Sequence, residues 1–112
     1  MTESLPATAV VRVGRVTFDP SLYDAVVEAD KKTSEYLIPA IQSLPGLLHW
    51  FAGVSPDGSL SQISVWDSEA HAAQMDELKE MRVRARDEFR AIGVTFTAET
   101  ATYAHYPITW TI

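Results

Sequence analysis

The sequence predicts an α+β domain: a four-stranded antiparallel sheet carrying two helices on one face. Three observations lead there. A valine-rich stretch runs into Asp19-Pro20, which opens a helical pattern. Two apolar runs flank Ser55-Pro56-Asp57-Gly58, a strong hairpin turn. A second helical pattern stops at Gly93 ahead of a run rich in Thr, Phe and Tyr. The order is therefore β-α-β-β-α-β.

Ala9 to Phe18 reads as the first strand, with Arg12 and Arg15 set among valines. Asp19 can cap free N–H groups, and Pro20 suits the first helical position because it has no N–H to waste. Leu22, Val26, Thr33, Leu37 and Ile41 then fall on one helix face. Pro39 is expected to end or kink that helix near Ile38, with Leu44-Pro45-Gly46 completing the break. The second strand spans Leu47 to Val54. If Gly58 takes the left-handed position of a three-residue loop, Ser55 faces Ser59. Counting back pairs Ala52 with Gln62, Trp50 with Ser64 and Leu48 with Trp66. One hairpin face then holds Leu48, Trp50, Ala52, Val54, Leu60, Gln62, Ser64 and Trp66, and the other His49, Phe51, Gly53, Ser61, Ile63 and Val65.

Asp67 or Ser68 caps the second helix, whose buried stripe is Met75, Leu78, Ala85, Phe89 and Ile92. Glu80–Arg84 and Arg84–Glu88 form i,i+4 pairs on its solvent side. Thr95 to Tyr106 is the last strand. Pro107 interrupts it and leaves Ile108 to Ile112 as an edge extension or arm.

This order is the ferredoxin-like split β-α-β arrangement. The chain has 112 residues, the size of one domain, with residues 1–8 expected to be a flexible N-terminus and 9–112 the fold. A lone sheet should show water one polar face, yet both hairpin faces are apolar. The face bearing His49, Phe51, Ile63 and Val65 is therefore expected to pack on a second copy as a homodimer. The formal charge of −6 argues against nucleic acid and against an anionic membrane as partners. There are no cysteines, which removes disulfides and thiolate chemistry. No run of 18 apolar residues and no signal peptide stand out, so a cytoplasmic location is expected.

In sequence, the strand VVRVGRVTF with its proline-started helix, the LPG before strand two, the FAGVSPDG turn, the SVW strand ending, the AHAAQM helix start and the GVTF opening of strand four resemble the antibiotic biosynthesis monooxygenase-like family of the dimeric α/β-barrel superfamily. The resemblance spans residues 9 to 112. It implies a dimer with two facing sheets, and a pocket in each subunit between sheet and helices. It also implies oxygenation of small aromatic substrates without a cofactor, or, in other relatives, haem degradation. The haem-degrading relatives combine a strand-borne Trp and a helix-borne His with an Asn on strand one. This chain has Trp66 and His71, but Arg12 and Gly14 on strand one and no Asn anywhere. No cofactor is expected.

Trp66 and His71 meet at one strand-to-helix junction and are the catalytic candidates. In an enzyme, His71 is the base, because histidines titrate near neutrality. Trp66 and Trp50 stack on the substrate, and Gln62, Ser64 or Arg12 holds an oxyanion. Tyr36, Trp50, Met75 and Tyr103 complete an aromatic-lined cavity. Each residue has a plainer role: Trp66 and Met75 as core, His71 bonded to a carbonyl or water, Arg12 in an ion pair with a group such as Glu99. His49 belongs to the dimer side, and His105 is expected near the exposed end of strand four. The three histidines share no metal-ligand spacing, so no metal site is expected. The second hypothesis is a non-catalytic small-molecule binder or structural dimer.

Overall fold

A computed structural model describes residues 5–112. Strand β1 runs Val10–Thr17, followed by a short 3-10 turn at Pro20–Leu22 and helix α1, Tyr23–Gln42. The hairpin β2 (Leu47–Ser55) and β3 (Ser59–Trp66) follows. Next come α2 (Glu69–Ala72), a 3-10 turn at Ala73–Glu77, a π-helical segment at Glu80–Ala85 and α3 (Arg86–Ala91), then β4 (Ala101–Pro107). The sheet order is β2-β3-β1-β4 with every neighbour antiparallel. This is the ferredoxin-like arrangement expected. Among the described residues no helix is long and apolar enough to cross a membrane.

The cap and turn readings hold. The Asp19 carboxylate accepts from the Ser21 N–H, and Pro20 occupies the first turn. Gly58 sits at φ 105°, its N–H donates to the Ser55 carbonyl, and Ser55 faces Ser59. From there Ala52 pairs with Gln62 and Trp50 with Ser64. The count then slips. A bulge between Leu47 and His49 puts Leu47, not Leu48, opposite Trp66. Trp66 is fully buried, so the residue facing it must turn inward; the bulge turns Leu47 in and leaves Leu48 39% exposed.

Four other expectations differ. Pro39 lies inside α1 and does not end it. It falls in the last turn on an exposed stretch beside Ile38, while Leu37 and Ile41 hold that turn in the core. The second helix is not continuous. Leu78 has an extended ψ of 108°, and the wide turn after it rotates the chain. An unbroken helix would carry Arg82 on the stripe of Met75, Leu78, Ala85 and Phe89. Here Met81 packs on the core and Arg82 is exposed. Residues 95–100 are a turn, not strand. The Thr100 hydroxyl donates to the Thr95 carbonyl at 2.8 Å and accepts from the Thr97 N–H at 2.8 Å, satisfying locally the backbone groups a ladder would use. Pro107 closes β4 opposite Val10 instead of interrupting it, because an edge strand spares one N–H.

The core lies between sheet and helices in two clusters. One gathers Val10, Leu37, Ile41, Ala72 and Ala85 around Trp66 and Met75. The other joins Val16, Val26, Leu60, Phe89 and Val94. Among the described residues nothing covers the outer sheet face. There Phe51 is 61% exposed and Ile63 41%, and His49 stacks on Phe51 at 6.4 Å. At the N-terminal side, residues 1–4 of the expected flexible segment lie outside the described residues. Thr8 donates its hydroxyl to the Asp67 carbonyl at 2.6 Å.

Candidate functional site

Arg12 stands on the helix-facing side of β1, between Ser64 of β3 and His105 of β4. It is 4% exposed. Its one short polar contact is a 3.4 Å bond from Nη2 to Asp76, a carboxylate that is itself largely exposed; Glu99, the expected partner, is not involved. The guanidinium also lies 5.2 Å from the Tyr103 ring centroid. Among the described residues its buried Nε has no hydrogen-bond partner. A buried N–H on a cation is costly to leave unmade, so this is where a ligand acceptor would be rewarded.

Arg12 forms part of the floor of a cleft of about 290 Å³ between sheet and second helical region. Gln62 and Tyr103 rise from the sheet beside it. Met75, Met81 and the Arg86 side chain roof it. The roof comes from the π-helical segment and its flanks, and such wide turns recur at functional sites. Arg86 donates to the Tyr103 hydroxyl at 3.2 Å. Gly14 faces Tyr103 across β1–β4, and its lack of a side chain lets the ring lie close to the sheet. A second, larger groove of about 460 Å³ opens between α1 and the edge strand β2. Its walls are mostly apolar: Leu37, Ile38, Ile41, Leu48 and Trp50, with Asp30 and Ser34 from α1. Burial raises the Asp30 pKa above its ordinary value. Gln62 borders both spaces.

The expected site residues divide accordingly. Arg12, Gln62 and Met75 line the cleft, and Trp50 lines the groove. Trp66 and His71 reach neither. The Trp66 indole N–H donates to the Ser64 hydroxyl at 2.8 Å, and both side chains are buried, so both serve the core. His71 Nδ1 lies 2.6 Å from Asp67, and its ring is packed over Gly46. The helix turns its imidazole toward the LPG loop, because Ser68 starts the helix and Asp67 waits one turn back. Tyr36 also stands apart: its hydroxyl donates to Glu88 under the Arg84 guanidinium. Burial, then Glu88, pushes the Tyr36 phenol above its usual pKa, and the Tyr36 bond holds Glu88 below the usual carboxylate value. Glu88 pairs with Lys32 of α1 at 3.6 Å, and Arg84 lies over Tyr36 rather than in the i,i+4 pairs expected. His105 is half-buried and 2.5 Å from Glu69.

Asp76, Glu77, Arg82 and Arg86 also line the cleft, and sequence reasoning singled out none of them. One signal was present: Arg82 falls on the apolar stripe, which a charge should not share.

No protein-family model matches the sequence, and no curated protein matches it. Solved structures do match in fold. SnoaB, a cofactor-independent oxygenase from Streptomyces nogalater, is 16% identical with a TM-score of 0.60, covering 95% of this chain and 98% of its own. A dimeric ferredoxin-like protein from an uncultured marine organism gives 14% and 0.67, covering 94% and 91%. This chain shares their ferredoxin-like fold. A monooxygenase from the gene ActVA-Orf6 of Streptomyces coelicolor, in complex with nanaomycin D, stands at 17% and 0.57 over 95% and 91%. At these identities the likeness concerns architecture.

Proposed function

We propose that this chain is a cytoplasmic homodimer that binds an electron-rich aromatic with an anionic oxygen in the Arg12 cleft and oxygenates it without a cofactor. The observation that carries the reading is the Arg12 guanidinium, 4% exposed, with an unpartnered Nε at the cleft. A phenolate or enolate oxygen would satisfy it, and Arg86 adds a second positive charge. Tyr103 and Gln62 offer a stacking face and an amide for the ring. Once the substrate has lost its proton, its own electrons reduce dioxygen, so the protein's task is to bind, orient and hold charge. Asp76 and Glu77, the carboxylates at the cleft, are placed to take that proton. The fold neighbour SnoaB, a cofactor-independent oxygenase, supports the chemistry. The homodimer uses the outer face of His49, Phe51, Ile63 and Val65, where exposed apolar side chains lack cover.

Oxygen uptake with a panel of dihydroquinones and anthrones tests the reading. The expected result is turnover that falls at least tenfold in Arg12→Gln and is retained in His71→Ala. Sedimentation tests the dimer, which should dissociate in Phe51→Lys.

A second reading, a non-catalytic binder, is favoured by one observation: His71 is held by Asp67 away from both spaces. It predicts saturable binding of the same aromatics with no oxygen consumed.

A further inference from the structure

The groove of about 460 Å³ between α1 and β2 touches the Arg12 cleft only at Gln62. α1 and β2 are joined by the short Leu44-Pro45-Gly46 loop and run in opposite directions. That puts Ile41 beside Leu47, and sets Asp30 and Ser34 toward Ala52 and its cross-strand partner Gln62. The groove therefore has two unlike ends. One is apolar, with Leu37, Ile41, Leu47 and Trp50 in its wall and Ile38 and Leu48 exposed at its mouth. The other is polar, and its donors are turned elsewhere. The Ser34 hydroxyl donates to the Lys31 carbonyl at 2.6 Å. The Gln62 amide nitrogen donates to the Met81 sulfur at 3.8 Å, leaving the amide oxygen to accept. Asp30 stands one turn before Ser34 on the same helix face and is half-buried. Among the described residues no hydrogen bond or salt bridge engages its carboxylate, and burial is the one cause that raises its pKa. His49, the other ionisable group on the groove, lies exposed at the rim, stacked on Phe51.

We propose that this groove is a second binding site, for an apolar molecule that ends in a primary ammonium group, with the ammonium held by Asp30, Ser34 and Gln62. An ammonium head has three donors and no acceptor, the complement of a carboxylate, a hydroxyl oxygen and an amide oxygen. A carboxylate head would meet Asp30 with like charge. An alcohol would bring one donor and no charge. A half-buried carboxylate without a partner is desolvated at a cost, and a cation beside it offsets that cost through a charge-assisted bond. The tail lies along Leu37, Ile41 and Trp50, where it leaves water. The formal charge of −6 draws cations toward the whole molecule, and the groove is where one with an apolar tail fits. The proposal goes beyond the Arg12 reading: one space selects an anion, the other a cation, and Gln62 stands between them.

Titration calorimetry at neutral pH with n-octylamine, n-octanol and octanoate tests it, because the three probes share one chain and differ in the head. The expected order is octylamine at least about tenfold tighter than octanol, with octanoate weakest. Asp30→Asn should bring octylamine to the affinity of octanol and leave octanol unchanged. Asp24→Asn removes an exposed acid from the same helix and should leave the amine unaffected. In labelled protein, the amide signals of Ile38, Leu48 and Trp50 should move on adding octylamine. Equal affinity for amine and alcohol overturns the proposal, as does no binding of any of the three. Equal losses in the Asp24 and Asp30 variants also overturn it, by reducing the effect to general attraction to an acidic protein. Should Asp30→Asn fail to fold, the amine and alcohol titrations of the unchanged chain still decide. Oxygen uptake reads the Arg12 cleft and this titration reads the groove, so each can fail without the other.

Discussion

Gly14 on β1 and Tyr103 on β4 stand opposite each other, and the ring of one occupies the space left by the missing side chain of the other. A Cβ at residue 14 would lie 3.1 Å from the Tyr103 ring. Tyr103 is 40% exposed and can give way, so Gly14→Ala should cost little stability, within about 1 kcal/mol. It should instead tilt the ring into the cleft and off Arg12. We predict weaker binding of anionic aromatics with an almost unchanged melting temperature, measured by calorimetry on the same sample.

Arg12 separates stability from binding in the opposite direction. A buried cation with one long bond contributes little to folding, and replacing such groups by apolar ones of similar volume is often neutral or stabilising. Arg12→Met should melt at the same temperature or higher. Ligand affinity should fall at least about tenfold, equivalent to about 1.4 kcal/mol. A clear loss of stability would mean that the Asp76 bond matters more than its 3.4 Å length implies.

Gly46 behaves differently. It sits at φ 89°, and a Cβ there would meet His71 Nδ1 at 2.2 Å and Asp67 at 2.5 Å. Gly46→Ala should cost about 2–4 kcal/mol by denaturant unfolding. Part is backbone strain and part is collision. Adding His71→Ala should recover some of the collision and none of the strain, so the double variant should be more stable than the sum of the singles. Strict additivity would show that the ring moves aside freely.

Asp30 gives a pH signature. Burial raises its pKa in the fold, so ionising it opposes folding. The unfolded chain loses this proton first as pH rises, and the full penalty applies above the folded pKa. Asp30→Asn should therefore stabilise the protein at neutral pH. The gain should shrink as pH falls and vanish below the pKa of the unfolded aspartate. Melting curves from pH 3 to 8 would show it; an advantage independent of pH would assign the effect to something other than charge.

What could be read from sequence followed from local chemistry. The Ser55–Gly58 turn specifies its own geometry, and from it two of three counted pairs came out correctly. The third failed at Leu48, because a bulge answers to the demand of a buried Trp66 across the sheet, and no nearby residue announces it. The second helix shows the same limit: its capping Ser68 and stopping Gly93 are local signals, whereas the wide turn at Glu80–Ala85 depends on which of Met81 and Arg82 the sheet accepts. Of the site, Arg12 was legible because a charge among valines is conspicuous. His71 was misplaced, since its nearness to Trp66 at the strand-to-helix junction says nothing of an aspartate one turn earlier that competes for the ring.

The wide turn at Glu80–Ala85 has an implication for lineage. A π-helical turn is what an α-helix becomes when it absorbs one extra residue without shifting the turns around it. Removing a single residue there would close the wide turn while Ala85, Arg86 and Phe89 keep their places. A one-residue gain at this point is therefore a way to change which side chains of the segment meet the sheet while every strand keeps its register.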